Sequence, residues 1–404
     1  MVVLIADNFE SAGVEALRAA RCEVILEPSL KDDALRDAIA RTKCRVLVVR
    51  STRVTAAMLE AGDALGLVVR AGAGVNTIDV AAASRNAVLV ANCPGKNAVA
   101  VAELTFALIL GLDRRLCENV ADLRQKRWNK KEYSTARGLK GRTLGVVGLG
   151  RIGQIVAQRA LAFEMKVVAW SRSLDEDAAS ALGVVRCETP AEAASRCDIL
   201  SIHLAAAPQT KGMINADVLG RLKPGSFVIN TARAEVMDYA ALARAIREKG
   251  LRVGLDVFAN EPAEGAGTFA DAIVEAGGIV YGTHHIGAST DQAQDAIAAE
   301  TVRIIADYAN TGHVDNCVNL CARSPARYVL VVRHRNRPGV LAHALGVVSD
   351  AGVNVEEMEN VICEGTEGAC AQIKLDSPLD ADVLAKIERG HEHVLGVSLF
   401  EIGR

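Results

Sequence analysis

From Val2 to Tyr281 the chain alternates short, mainly apolar runs with longer stretches whose apolar residues recur at three- and four-residue intervals. A short apolar run suits a strand buried on both faces, and the longer spacing suits a helix with one buried side. The first group of predicted strands is Val2–Ala6, Val46–Val49, Leu67–Arg70 and Val88–Ala91. The second is Thr143–Val147, Lys166–Trp170, Ser226–Ile229, Val253–Val257 and Gly278–Tyr281. Strands alternating with helices predict an α/β chain with parallel sheets, here two Rossmann- or flavodoxin-like doubly wound units. Two long apolar segments, Asn97–Asp113 and Ala288–Thr311, read as helices that carry the chain out of the first unit and back. The expected division is therefore 1–95 with 287–313 as one unit and 96–286 as the other. The periodicity lapses over 314–326, a linker. It restarts over 327–404 as strand, helix, two strands, helix and strand, a βαββαβ ferredoxin-like unit.

Three predicted strands in the second group end next to chemistry. Arg233 closes N-T-A-R, Glu261 lies in D-V-F-A-N-E-P, and His285 opens H-I-G-A-S-T. In open α/β sheets the ligand crevice lies beyond the carboxyl ends of the strands, so the three groups converge on one cleft. Arg can grip a carboxylate through two parallel hydrogen bonds, His can exchange the proton of a hydroxyl, and Glu can hold the imidazole. That set suits oxidation of an α-hydroxy acid. His284 is the rival base, and the H-I-G-A-S-T register favours His285.

Gly148, Gly150 and Gly153 lie between a predicted strand and a predicted helix, Arg151–Phe163, with Arg151 and Ile152 opening that helix. This context turns a weak glycine motif into a dinucleotide site. The glycines allow the tight turn, the approach of a pyrophosphate and the close packing of helix on sheet. The acidic residue expected to bond the ribose is replaced by Ser171, followed by Arg172. Asp175, Glu176 and Asp177 come soon after, so the choice between NAD and NADP stays open.

Composition narrows the setting. The 404 residues are 50% hydrophobic with a formal net charge of −3 at pH 7, and no basic block invites nucleic acid. No apolar run reaches the roughly 18 residues of a membrane span, and the N-terminus reads as a strand rather than a signal peptide. The ten cysteines lack paired metal spacing, which predicts no metal site and a cytoplasmic, reducing environment.

R-A-G-A-G-V-N-T-I-D (70–79), N-A-V-A-V-A-E (97–103), G-V-V-G-L-G-R-I-G (145–153), N-T-A-R (230–233), D-V-F-A-N-E-P (256–262), H-I-G-A-S-T (285–290) and N-R-P-G-V-L (336–341) occur in order. With them the chain resembles the D-isomer-specific 2-hydroxy-acid dehydrogenases, in the form that ends in an ACT domain. The resemblance implies His285 as acid/base, Glu261 as its partner and Arg233 as carboxylate anchor. It implies Asp256 near the nicotinamide amide, Thr231 at the cofactor, and the backbone of Ala73, Gly74 and Val75 around the substrate carboxylate. Arg50, Ser51 and Lys130 match positions that bind a substrate phosphate. Departures from the pattern are Thr52 with Arg53 after it, Asn76, and His284.

The implied reaction is NAD(P)-dependent oxidation of 3-phosphoglycerate to 3-phosphohydroxypyruvate, the entry to serine synthesis. The alternatives are an NADPH-dependent reductase of glyoxylate, hydroxypyruvate or another 2-oxo acid, and a non-catalytic nucleotide-sensing protein. The resemblance also implies a homodimer or homotetramer. It further implies serine as effector, held by His334, Asn336 and Asn354.

Overall fold

The computed structural model describes residues 1–262, 267–321 and 323–403; residues 263–266, 322 and 404, which the expected spans include, lie outside that description. The contacts separate Met1–Asn319 from Leu320–Arg404.

Within Met1–Asn319 the first sheet comprises β1 (Val2–Ile5), β2 (Glu23–Leu26), β3 (Val46–Val49), β4 (Leu67–Arg70) and β5 (Leu89–Asn92), in the order β2-β1-β3-β4-β5. All its pairings are parallel. The order reverses between β1 and β3, and the crevice at such a switch point is bounded here by Asp7 and Arg50.

The second sheet comprises β6 (Thr143–Val147), β7 (Lys166–Trp170), β8 (Val185–Arg186), β9 (Ile199–Ile202), β10 (Phe227–Asn230), β11 (Arg252–Leu255) and β12 (Ile279–Gly282). Its order is β12-β11-β10-β9-β6-β7-β8, with the reversal between β6 and β9. Strands β2, β8 and β9 were not among the sequence expectations. β9 is buried throughout, but Ser201 interrupts its apolar run; the hydroxyl is satisfied by the ring of His203 at 2.8 Å.

Two helices connect the sheets. Helix Ala98–Arg114 packs Phe106, Ile109 and Leu112 against the second sheet at Leu144, Val146 and Ile229. Helix Asp291–Thr311 packs Ile297, Ile304 and Ile305 against the first sheet at Val3, Ile5 and Val48. Asn230 pairs with Leu255 and Leu255 with Gly282, so the segments leaving β10, β11 and β12 emerge side by side.

Leu320–Arg404 is built on β13 (Tyr328–Arg335), β14 (Val355–Ile362), β15 (Gly368–Leu375) and β16 (Val394–Glu401), antiparallel in the order β14-β15-β13-β16. Its core joins Leu330, Val332, Ile373 and Leu375 to Ala344, Val348 and Ile387 of two helices.

Candidate active site

The sheet ends shape a cleft of about 740 Å³ whose lining includes Arg70, Gly74, Arg233, Glu261 and His285. His285 Nδ1 lies 2.7 Å from Glu261 Oε2, and Glu261 Oε1 accepts the Phe258 N–H at 2.8 Å. Partial burial pushes the Glu261 carboxyl up, but the hydrogen bonds from His285 and Phe258 and the nearby His285 and Arg233 charges outweigh it. The group is held below its ordinary range. With Nδ1 engaged, Nε2 is the ring nitrogen left for a reacting proton. His284 is exposed and enters no hydrogen bond with another described residue.

His285 adopts φ +53°, the left-handed region that a side chain of this kind enters only when its surroundings over-determine it. Asp256 supplies that determination. Its buried carboxylate accepts the Thr283 hydroxyl at 2.6 Å and the N–H groups of Ile286 and Gly287, each at 2.8 Å. Asp256 thus fixes the loop that presents His285, a role its position in D-V-F-A-N-E-P did not disclose.

Arg233 is presented by a turn that Asn230 organises. The Asn230 amide donates to Arg233 O and accepts the Ala232 N–H, both at 3.0 Å. Opposite it runs the loop after β4. Asn92 donates to Ala73 O at 2.6 Å, and Cys93 N–H donates to Gly72 O at 2.9 Å. Among the described residues the N–H groups of Ala73, Gly74 and Val75 find no acceptor. They are therefore open to an anion. A Cβ on Gly74 would stand 2.8 Å from Arg233 Nη2, so the missing side chain is what lets guanidinium and loop meet.

The substrate residues expected from sequence divide. Arg50 borders a small adjoining recess with Asn8, Glu10 and Ala71. Ser51 gives both its N–H and its hydroxyl to Asp7, at 3.1 and 3.0 Å. Lys130 is exposed on a short helix, Lys130–Tyr133, and does not line the cleft.

The glycine loop fits a dinucleotide. Gly148 has φ +96° and its Cβ would stand 2.6 Å from His203 O; a Cβ on Gly153 would stand 2.1 Å from Gly148 O. Nothing lies within 4 Å of that position at Gly150, which leaves the open approach a pyrophosphate needs at the start of helix Arg151–Ala162. Arg151 turns back to donate to Pro94 O, and Ile152 is half-buried on the helix. Thr231 faces away from solvent, its hydroxyl 2.9 Å from that of Thr105.

At the end of β7, Asp175 is spent as a helix cap, accepting the Ala178 N–H at 2.8 Å. Glu176 stands 3.6 Å from Arg186. Arg172 is exposed and pairs with no described residue. The acidic turn that left cofactor choice open is therefore occupied with its own structure.

In Leu320–Arg404 the His334 ring is buried, with Nδ1 2.8 Å from Arg335 O and Nε2 3.1 Å from Asn360 Oδ1. Both ring nitrogens are engaged internally, which departs from the expected effector contact. Asn336, half-buried, donates to Thr366 O at 3.1 Å, and Asn354, exposed, to Glu356 at 2.8 Å. No described helix is long and apolar enough to cross a membrane, and no described cluster of His, Cys, Asp or Glu is placed to hold a metal.

Residues 106–287 match the family model described as "D-isomer specific 2-hydroxyacid dehydrogenase, NAD binding domain". Over 307 residues the chain is 39% identical to the D-3-phosphoglycerate dehydrogenase of Mycobacterium tuberculosis (strain ATCC 25618 / H37Rv), an overlap of 75% of this chain and 56% of the relative. Over 358 residues it is 33% identical to that of Homo sapiens, an overlap of 86% and 63%. The chain thus spans 56% to 63% of the length of these two curated relatives. The NAD+-bound 3-phosphoglycerate dehydrogenase structure from Entamoeba histolytica superposes with a TM-score of 0.65 at 26% identity, over 79% of this chain and 99% of that one.

Proposed function

We propose, on the premise that residues 106–287 match the D-isomer specific 2-hydroxyacid dehydrogenase NAD binding domain, that the chain oxidises 3-phosphoglycerate to 3-phosphohydroxypyruvate with NAD(P), the entry to serine synthesis. The observation that carries this reading is the His285–Glu261 pair, 2.7 Å apart, facing Arg233 across one cleft. Residues 1–95 with 287–313 serve the substrate, 96–286 the dinucleotide, 314–326 link, and 327–404 act as a regulatory ACT unit.

Arg233 and the free N–H groups of Ala73, Gly74 and Val75 hold the substrate carboxylate and fix C2 beside His285. His285 Nε2 takes the C2 hydroxyl proton while Glu261 holds Nδ1–H and stabilises the imidazolium that forms. Arg233 polarises the developing carbonyl oxygen. A nicotinamide cofactor held at the glycine loop would supply the acceptor for the C2 hydride. In the reverse direction His285 returns the proton. Gly150 and the N-terminus of helix Arg151–Ala162 would hold the cofactor's pyrophosphate.

A second reading, reduction of 2-oxo acids with NADPH, is favoured by one observation: Asp175 is spent as a cap and Arg172 pairs with no described residue, so Ser171 and Arg172 suit a 2′-phosphate. A rate matrix of NADH and NADPH against phosphohydroxypyruvate, hydroxypyruvate, glyoxylate and 2-oxoglutarate separates the two. Turnover of phosphohydroxypyruvate well above the others supports the first reading, and preference for an unphosphorylated acid with NADPH supports the second. Failure to turn over any of them would leave nucleotide sensing. For the partners, the reading is a homo-oligomer with serine as effector, met by Asn336 and the exposed Asn354. The setting is the cytoplasm, in keeping with ten free cysteines.

A further inference from the structure

One peptide unit, between Val257 and Phe258, carries the aim of the acid/base pair. Among the described residues the Glu261 carboxylate has two donors, the Phe258 N–H at 2.8 Å and the His285 ring at 2.7 Å. Its side chain is 34% exposed, so packing alone does not fix it. Where the carboxylate points therefore depends on where the Phe258 N–H points. That N–H shares a rigid plane with the Val257 carbonyl, and in a trans peptide the two face opposite ways. Fixing the carbonyl fixes the donor.

Tyr239 fixes the carbonyl. Its hydroxyl donates to Val257 O at 2.6 Å, across 18 residues of sequence. Among the described residues no other donor reaches that oxygen, and Val257 is buried, so solvent offers no ready substitute. The phenol is itself well placed. Tyr239 opens helix Tyr239–Lys249 directly after the cap residue Asp238, which accepts the Ala241 N–H at 2.9 Å. Its ring packs against the core of the second sheet while lining the cleft with Glu261 and His285. Burial, with the Asp271, Glu261 and Glu235 charges behind it, pushes the phenol above its ordinary range and keeps the donor proton in place. On the other side the Phe258 ring is wedged, 4.9 Å from that of Phe269 and close enough to Gly282 that a Cβ there would stand 2.9 Å from its Cζ. A hydrogen bond into a carbonyl also polarises the N–H of the same peptide, which strengthens its hold on a carboxylate.

We propose that Tyr239 is a positioning residue for the acid/base pair, aiming the Glu261 carboxylate at His285 Nδ1 through the Val257–Phe258 peptide. This rests on the dehydrogenase reading above and adds to it a residue that lies outside the sequence motifs carrying that reading.

Tyr239→Phe keeps the ring and removes the donor. It is expected to lower kcat for oxidation of 3-phosphoglycerate about tenfold, a part of the roughly 10- to 150-fold that a charged hydrogen bond carries. KM for substrate and cofactor should move by less than about threefold, because neither is touched by the hydroxyl. In a Glu261→Gln background the same replacement should cost less than about twofold, since the carboxylate it aims is gone. Equal losses in the two backgrounds, or a loss carried by KM, would make Tyr239 a packing residue and overturn the proposal. A second readout stands apart from turnover. In alkaline buffer, where the imidazole is neutral, the ¹⁵N resonances of the His285 ring, identified by their loss in His285→Asn, should report a proton held on Nδ1 in wild type. In Tyr239→Phe that proton should be shared with Nε2. If wild type oxidised no 2-hydroxy acid the dehydrogenase reading would fall, while these resonances would still decide whether Tyr239 positions the pair. The same tautomer ratio in both proteins would overturn it.

Discussion

Replacing Glu261 by Gln tests the acid/base unit with almost no change of shape. In the native site one carboxylate oxygen accepts the Phe258 N–H at 2.8 Å and the other faces His285 Nδ1 at 2.7 Å. An amide has one oxygen for two donors. If that oxygen stays with Phe258, the NH₂ group faces His285 and the imidazole must place its proton on Nε2, where it can no longer accept the substrate proton. If the oxygen turns to His285, the NH₂ group meets the Phe258 N–H, and an unpaired donor costs about 1–3 kcal/mol. Either way the imidazolium loses its counter-charge, and a charged hydrogen bond is worth about 1.5–3 kcal/mol, or roughly 10- to 150-fold in rate. With the wrong tautomer added, kcat for oxidation should fall about 10²–10⁴-fold, the usual worth of a general base.

The assay is single-turnover formation of reduced cofactor by absorbance, alongside cofactor binding, which should change by less than about threefold because Glu261 touches none of the glycine loop. The pH dependence has a definite sign. Glu261 is held below its ordinary 4.5, so it stays ionised above that pH and loses its grip only as pH falls through the lowered value. The gap between wild type and variant should therefore persist through neutral pH down to 4.5 and narrow below it. Oxidation within about threefold of wild type at neutral pH would refute the pairing as the catalytic unit.

His285→Asn should lose about 10²–10⁴-fold in kcat while His284→Asn stays within a few-fold, as steady-state rates will show; the reverse ranking would move the base to His284. Ser171→Asp should shift the NAD/NADP ratio of kcat/KM toward NAD, because a carboxylate accepts from the ribose 2′-OH and repels a 2′-phosphate, and an unchanged ratio would place recognition elsewhere. The Arg303 hydrogen bond, against the opposing effect of burial and with help from Lys96, holds Glu300 down at about 2 from an ordinary 4.5. Its stabilising contribution is thus full above 4.5 and lost as pH falls toward 2. Glu300→Gln should cost roughly 1–3 kcal/mol at neutral pH in urea unfolding, and a difference that failed to shrink on acidification would exclude the ion pairs as its source.

From the sequence alone came the parallel sheets apart from β2, β8 and β9, the nucleotide loop and the trio Arg233, Glu261 and His285. These are legible because both-sided burial writes strands as apolar runs, and because parallel strands in register deliver the segments beyond their carboxyl ends to one edge. Only the tertiary structure decided how the side chains between those landmarks are used. Asp175 became a helix cap because an N–H three residues on was left unpaired by the helix itself. Asp256 turned to the His285 loop, some 30 residues on, rather than standing free for the cofactor. Asp7 reached across 43 residues of sequence to accept the Arg50 N–H, and Arg70 came to line the cleft with Arg233. His334 went into the core against Asn360, and Lys130 outward to solvent. Side-chain polarity states what a residue can bond, but which partner it meets depends on packing between segments distant in the chain, which local pattern does not encode.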